Sequence, residues 1–127
     1  MELTSEEMKN HIELGKTGEE IAVRHLEAKG YHLLDRNWKW GREELDIIAR
    51  DGNFIVIVEV KTRHSNSLAD PGTCVNPKKQ RILARAAQAY IRYKSMLGEI
   101  RFDIIVIILN NSNITVNHVR DAFYATL

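Results

Sequence analysis

The sequence predicts a mixed α/β sheet flanked by helices, and three observations lead there. Apolar residues fall at helical spacing in two segments, from about Ser5 to Lys29 and from Asn76 to about Met96. Three runs of strand character lie back to back between these segments, and two more follow the second. The connection from the third strand through the second helix to the fourth is long enough to make those strands parallel, and such crossovers are almost always right-handed. The element order is helix, three strands, helix, two strands.

In the first helix, Ile12, Gly15, Glu19, Ala22 and Leu26 share one stripe, and Gly30 stands where a C-terminal cap would. Gly15 and Gly18 each weaken this helix by about 1 kcal/mol relative to alanine. They point to close approach of another element, or to a break. The runs "YHLLDRNWKW" and "ELDIIAR" read as strands, and "RDGNF" turns the chain into a third, "FIVIVEVKTR". The polar stretch from His64 to Val75 contains Asn, Ser, Asp, Pro and Gly and is expected to be mobile. The second helix opens with Asn76 as cap and Pro77 at its first position. The run "RFDIIVIILN" suits a central strand buried on both faces, with Asp103 ion-paired inside it. A short last strand near "ITVNHV" follows the "NNSN" turn.

Composition narrows the function classes. With 127 residues, 44% of them hydrophobic and 28% charged, the chain has material for one modest core, so a single domain over 1–127 is expected. The opening "MELTSEEMKNHIEL" is acidic and has no apolar core of a signal peptide, and no run approaches the roughly 18 apolar residues of a membrane span. A cytoplasmic protein without a membrane partner is the expectation. One cysteine, Cys74, excludes an internal disulfide, and neither it nor the five histidines show zinc-ligand spacing. The net charge of +1 hides an asymmetry: residues 36–94 hold 12 Lys and Arg against 6 Asp and Glu. A basic middle can neutralise phosphates even when the whole chain is nearly neutral.

The third strand raises the functional question, because Glu59 and Lys61 interrupt an apolar run. With a two-residue turn at Gly52 and Asn53, Asp46 falls opposite Glu59 and Glu44 opposite Lys61, so two acids and a lysine converge. Adjacent carboxylates repel unless neutralised, either by a hard divalent cation or by ion pairing. Glu19 lies on the buried stripe of the first helix, where an acid needs a partner or a ligand. Lys79 lies on the sheet-facing stripe of the second, with Leu83, Ala86 and Tyr90.

This ordered series, Glu19 in "GKTGEE", Asp46 in "EELDII", Glu59 and Lys61 in "VEVKTR" and Lys79 in "VNPKKQR", resembles the PD-(D/E)xK nuclease superfamily. More narrowly, from Leu14 to Ile108 the chain is similar to the YraN-like family of small bacterial proteins, related in fold to archaeal Holliday junction resolvases. Many members of that family have Gly before the acid of the second motif, where this chain has Glu43-Glu44. Alternation favours Glu44 as the partner of Asp46.

The resemblance implies a restriction endonuclease-like αβββαβ core and a metal-dependent endonuclease acting on DNA, branched or structured DNA included. Its cofactor would be Mg²⁺ or Mn²⁺ held by Asp46 and Glu59, with Glu19 as a further ligand. Lys61 would orient the attacking water and Lys79 would contact a phosphate, completing the catalytic set Glu19, Asp46, Glu59, Lys61 and Lys79. Arg36, Lys39, Arg42, Arg63, His64, Lys79 and Arg81 would line the approach of the nucleic acid, with Arg85 beyond them. Trp38 and Trp40 either stack on an unpaired base or pack against the sheet. The resolvase relatives imply a homodimer. Two further classes stand beside the enzyme: a non-catalytic nucleic-acid-binding module, and a small assembly protein whose acids form a structural network.

Overall fold

The computed structural model describes residues 5–64, 75–110 and 113–124, with the side chains of the first helix described from Thr17 on. The elements are α1 (Ser5–Ala28), β1 (His32–Trp40), β2 (Glu43–Asp51), β3 (Phe54–His64), α2 (Pro77–Lys94), β4 (Glu99–Asn110) and β5 (Asn113–Phe123). This is the expected order, with a longer β5 than "ITVNHV" indicated. The stretch 65–74, expected to be mobile, lies outside the described residues, as do Cys74 and the middle of the "NNSN" turn. No described helix is long and apolar enough to cross a membrane.

The five strands form one sheet in sequence order, β1-β2-β3-β4-β5. Only β3 and β4 pair in parallel; the other neighbours are antiparallel, so the sheet is mixed. The parallel pair follows from the α2 crossover, as expected. Helix α2 starts at the end of the sheet where β3 finishes, capped by Asn76, whose Oδ1 accepts from the Lys79 N–H at 2.9 Å. It ends at Ser95 in the left-handed conformation.

Two apolar layers sandwich the sheet. Ala22, Val23 and Leu26 of α1 pack with Tyr31, Ile47, Val56, Val58, Ile105 and Ile107. Leu83, Ala86, Ala87 and Tyr90 of α2 pack on the other face with Leu45, Ile48, Ile55, Ile57, Ile104 and Val106. Residues 101–107 of β4 are buried without interruption, as a central strand covered on both faces requires.

Helix α1 meets the sheet at Gly18. A Cβ placed there would strike the Thr62 hydroxyl of β3. The close approach expected from the glycines is real at this position. Gly18→Val is expected to lower stability by about 1–3 kcal/mol through overpacking, read as a shift in the urea midpoint at unchanged slope. A stability equal to that of the parent would show that the helix and strand have room to separate.

The turn between β2 and β3 is the two-residue Gly52-Asn53 loop, with Asp51 paired to Phe54 and the ladder running to Ile47 opposite Val58. There it stops. Asp46 and Glu59 are not a ladder pair, nor are Glu44 and Lys61. Instead the Val60 N–H donates to Asp46 Oδ2 at 3.0 Å.

The reason lies one strand over. In β1, Arg36 reaches the acids of α1 while Trp38 packs on Tyr90 of α2, so two residues of equal parity face opposite layers. In β2, Leu45 belongs to the α2 layer and Ile47 to the α1 layer. Between these pairs sit Asn37, at φ 51°, and Asp46. A left-handed residue inside a strand breaks the two-residue alternation, and asparagine tolerates that conformation better than most. Both strands change face at this one level of the sheet.

Candidate functional site

The kink gathers carboxylates. Glu19 comes from α1, and Glu44 and Asp46 from β2; one oxygen of each lies within 4.8 Å of the others. Asn37 ties the group together. Its Nδ2 donates to Glu44 Oε1 at 2.8 Å and to both Glu19 oxygens at 3.3 Å. Arg36 adds a partial counter-charge, with Nη2 at 4.0 Å from Glu19 and Nη1 at 2.7 Å from Glu20, while its Nε is buried with no hydrogen-bond partner among the described residues.

Glu59 enters from the α2 side of the sheet. It is 7% exposed, and Lys61 Nζ lies 3.4 Å from its Oε1. The group of three therefore contains Glu44 where the resemblance put Glu59; Glu59 acts on Asp46 through its charge and is itself partnered by Lys61.

Asp46 is where these fields meet. Burial pushes its carboxyl up, the neighbouring Glu59 pushes it further, and Glu19 and Glu44 add to both. The Val60 N–H works in the opposite direction and does not offset them. The carboxyl ends at about 7. The rise comes first from burial of the carboxyl itself and then from the negative charge of its neighbours.

The remaining expected residues divide by distance from this group. Lys79 pairs with Glu43 at 3.5 Å, which separates the two consecutive acids: Glu43 faces α2, and Glu44 joins Glu19 and Asp46. Lys39 pairs with Glu44 in the β1–β2 ladder, and Arg42 follows at the turn. Arg63 and His64 end β3, with Arg63 donating to the Thr62 carbonyl at 3.2 Å. Arg81 is exposed on α2. The β1–β2 turn, the end of β3 and the start of α2 lie at one end of the sheet, so these cations share that end with the carboxylates. Trp38 is a packing residue, edge-on to Tyr90 at 5.2 Å.

Periodicity alone does not single out Asn37. The signal for it is an asparagine in a strand pattern, a residue type favoured where backbone leaves the extended region. A second polar centre lies toward the opposite end of the sheet. Asp103 accepts from Arg101 Nε at 2.9 Å, His118 Nε2 at 2.8 Å, Tyr31 Oη at 3.2 Å and the Asp121 N–H at 3.1 Å. Arg101 continues to Asp51 at 2.8 Å. The expected ion pair of Asp103 is present within this larger network.

Three half-buried carboxylates at the kink, with a cationic rim at the same end of the sheet, lie within a stretch of chain shared with known relatives. A sequence profile described as "Uncharacterised protein family UPF0102" matches residues 18–107. A UPF0102 protein of Flavobacterium johnsoniae is 44% identical over 121 residues, covering 92% of this chain and 98% of the relative. One from Bacteroides thetaiotaomicron is 45% identical over 120 residues, covering 94% and 99%. A third, from Bacteroides fragilis, is 42% identical over 120 residues, again covering 94% and 99%. Matching these relatives along nearly their full length, and the family profile across the whole carboxylate group, the chain belongs to the UPF0102 family.

Proposed function

We propose that this protein is a divalent-metal-dependent nuclease that hydrolyses phosphodiester bonds in DNA, branched or structured forms included. The observation that carries the reading is the meeting of Glu19, Glu44 and Asp46, one oxygen of each within 4.8 Å of the others, at a place where burial and the neighbouring acids push the Asp46 carboxyl up to about 7. A hard cation with oxygen ligands removes that surplus charge, and the donor set is all oxygen.

Asp46, Glu19 and Glu44 would hold the Mg²⁺ or Mn²⁺ ion, with Glu59 completing the negative field. Such an ion, when bound, polarises a phosphate and lowers the pKa of water. The protein's own groups supply the rest. Lys61, tied to Glu59, presents an ammonium that has donors only. It offsets negative charge on the phosphoryl group and orients water, and while charged it is not a base. Lys79, Lys39, Arg42, Arg63, His64 and Arg81 position the backbone without reading sequence. A homodimer would present two such centres to a four-way junction.

The test is incubation of the purified protein with labelled single-stranded, duplex, flap and four-way-junction DNA in Mg²⁺, Mn²⁺ or EDTA. Cleavage is expected only with metal and is expected to vanish in Glu59→Ala. No cleavage of any form with either metal sinks the nuclease. Retarded bands under those same conditions would then identify a binding module.

A further inference from the structure

We infer that Trp40, Arg85 and Arg92 form a stacking site for an unpaired base, on the outer side of α2 and apart from the carboxylates. The inference rests on the nuclease reading only for the choice of polymer, since binding is measured without metal.

Helix α2 is strongly basic. Its 18 residues include Lys78, Lys79, Arg81, Arg85, Arg92 and Lys94 and not one acid. These cations fall into two sets. Lys79 and Lys94 are neutralised by Glu43 and Asp35 of the sheet. Lys78, Arg81, Arg85 and Arg92 are exposed on the side opposite the buried Leu83, Ala87 and Tyr90, and among the described residues none of them makes an ion pair. Unpaired guanidinium groups on one stripe are a ready match for a phosphate backbone.

Along this stripe runs a groove of about 360 Å³ lined by Trp40, Arg85, Gln88, Ala89 and Arg92. Its volume lies within the range of small-ligand sites. Trp40 closes it from the end of β1. The two tryptophans of the chain behave differently here. Trp38 is committed to Tyr90 and Tyr93. Trp40 is 38% exposed, and among the described residues its ring meets no aromatic or cationic partner and its indole N–H no acceptor.

A broad π-face between two arginines fits a nucleobase flanked by phosphates, the chemistry of single strands and of the unpaired arms of branched nucleic acid. An acidic peptide would satisfy the arginines and leave the indole without a use. A regular duplex would satisfy the phosphate contacts and offer no free base.

The experiment is fluorescence anisotropy of labelled oligo(dT) and of a blunt duplex of equal length, in EDTA. Oligo(U) runs in parallel to separate DNA from RNA. Trp40→Ala is expected to weaken oligo(dT) binding roughly 5- to 150-fold while leaving duplex binding within about twofold, and Trp40→Phe is expected to restore most of the loss. Arg85→Gln with Arg92→Gln is expected to weaken both ligands and to reduce the salt slope on oligo(dT) by about 1.4, two contacts at about 0.7 each. Binding of oligo(dT) should quench tryptophan emission in Trp38→Phe and not in Trp40→Phe.

Unchanged oligo(dT) affinity in folded Trp40→Ala overturns the site, as does an equal loss on duplex. Competition by polyglutamate as strong as by oligo(dT) at equal charge overturns it in favour of an acidic protein partner. Metal-dependent cleavage with unaltered oligo(dT) affinity in Trp40→Ala would remove the groove and keep the nuclease. A selective loss in Trp40→Ala with no cleavage under any metal would do the reverse.

Discussion

Asp46→Asn is expected to cut metal-dependent cleavage by about 10³-fold or more while raising the thermal midpoint of the metal-free protein at pH 8. The second half follows from linkage. The Asp46 carboxyl is raised to about 7 in the folded protein, from 3.8 in a free chain. Below pH 4 both states hold the proton, and the group has no effect on stability. Between pH 4 and 7 the unfolded chain releases the proton and the folded one keeps it, so stability falls as pH rises. Above 7 the cost is complete, of order 2–4 kcal/mol.

Asparagine removes this cost and keeps an oxygen to accept from the Val60 N–H. The variant should therefore be the more stable protein at pH 8, with the advantage gone by pH 4. Mg²⁺ or Mn²⁺ should raise the midpoint of the parent and not that of the variant. Differential scanning fluorimetry across pH, with and without EDTA, beside the cleavage assay, reads all of this. A variant less stable than the parent at pH 8 would show that Asp46 is not a charge-crowded acid. Retained cleavage would put the chemistry elsewhere.

Asp103→Ala is expected to cost about 3–5 kcal/mol of stability. Asp103 is 1% exposed and faces Arg101, itself buried. Burial alone would raise the Asp103 carboxyl, but His118, Arg101 and the Asp121 N–H outweigh it and hold it at about 2. Its folded value is below the free one, so the stability it contributes is present above pH 4 and is lost as pH falls through 2. Alanine leaves Arg101 with Asp51 as its sole remaining carboxylate among the described residues. Urea unfolding at pH 7, repeated down to pH 2, should show the large loss and a flattened acid limb in the variant. A loss below about 1 kcal/mol would mean that Asp51 alone satisfies the guanidinium.

Much of this architecture is written locally in the chain. A two-residue Gly-Asn turn between two apolar runs sets the β2–β3 pairing nearest the turn, from Asp51 opposite Phe54 to Ile47 opposite Val58. The parallel β3–β4 pair follows from the length of the crossover. The helical spacing of α1 is enough by itself to aim Glu19 toward the sheet. The face change at Asn37 and Asp46 does not follow, because alternation is the assumption on which such readings rest. One left-handed asparagine suspends it in two strands at once. That single event decides that Glu44 joins Asp46 and Glu43 turns to Lys79, and it moves Glu59 out of the group of three. Pairing between distant side chains, such as Asp103 with His118 and Tyr31, is likewise set by packing and leaves no periodic trace.

The carboxylate group draws on two parts of the chain, the first helix and the second strand. Glu44 and Asp46 come with the sheet, but Glu19 arrives only when α1 lies down on β3, Gly18 against Thr62. Displacing the first helix would uncover the apolar face it shares with Ile47, Val56, Val58, Ile105 and Ile107, and would take one of the three carboxylates from the group together with its Asn37 contact. On the proposed nuclease reading, cleavage would therefore depend on the docking of α1 as well as on the sheet that carries Glu44 and Asp46.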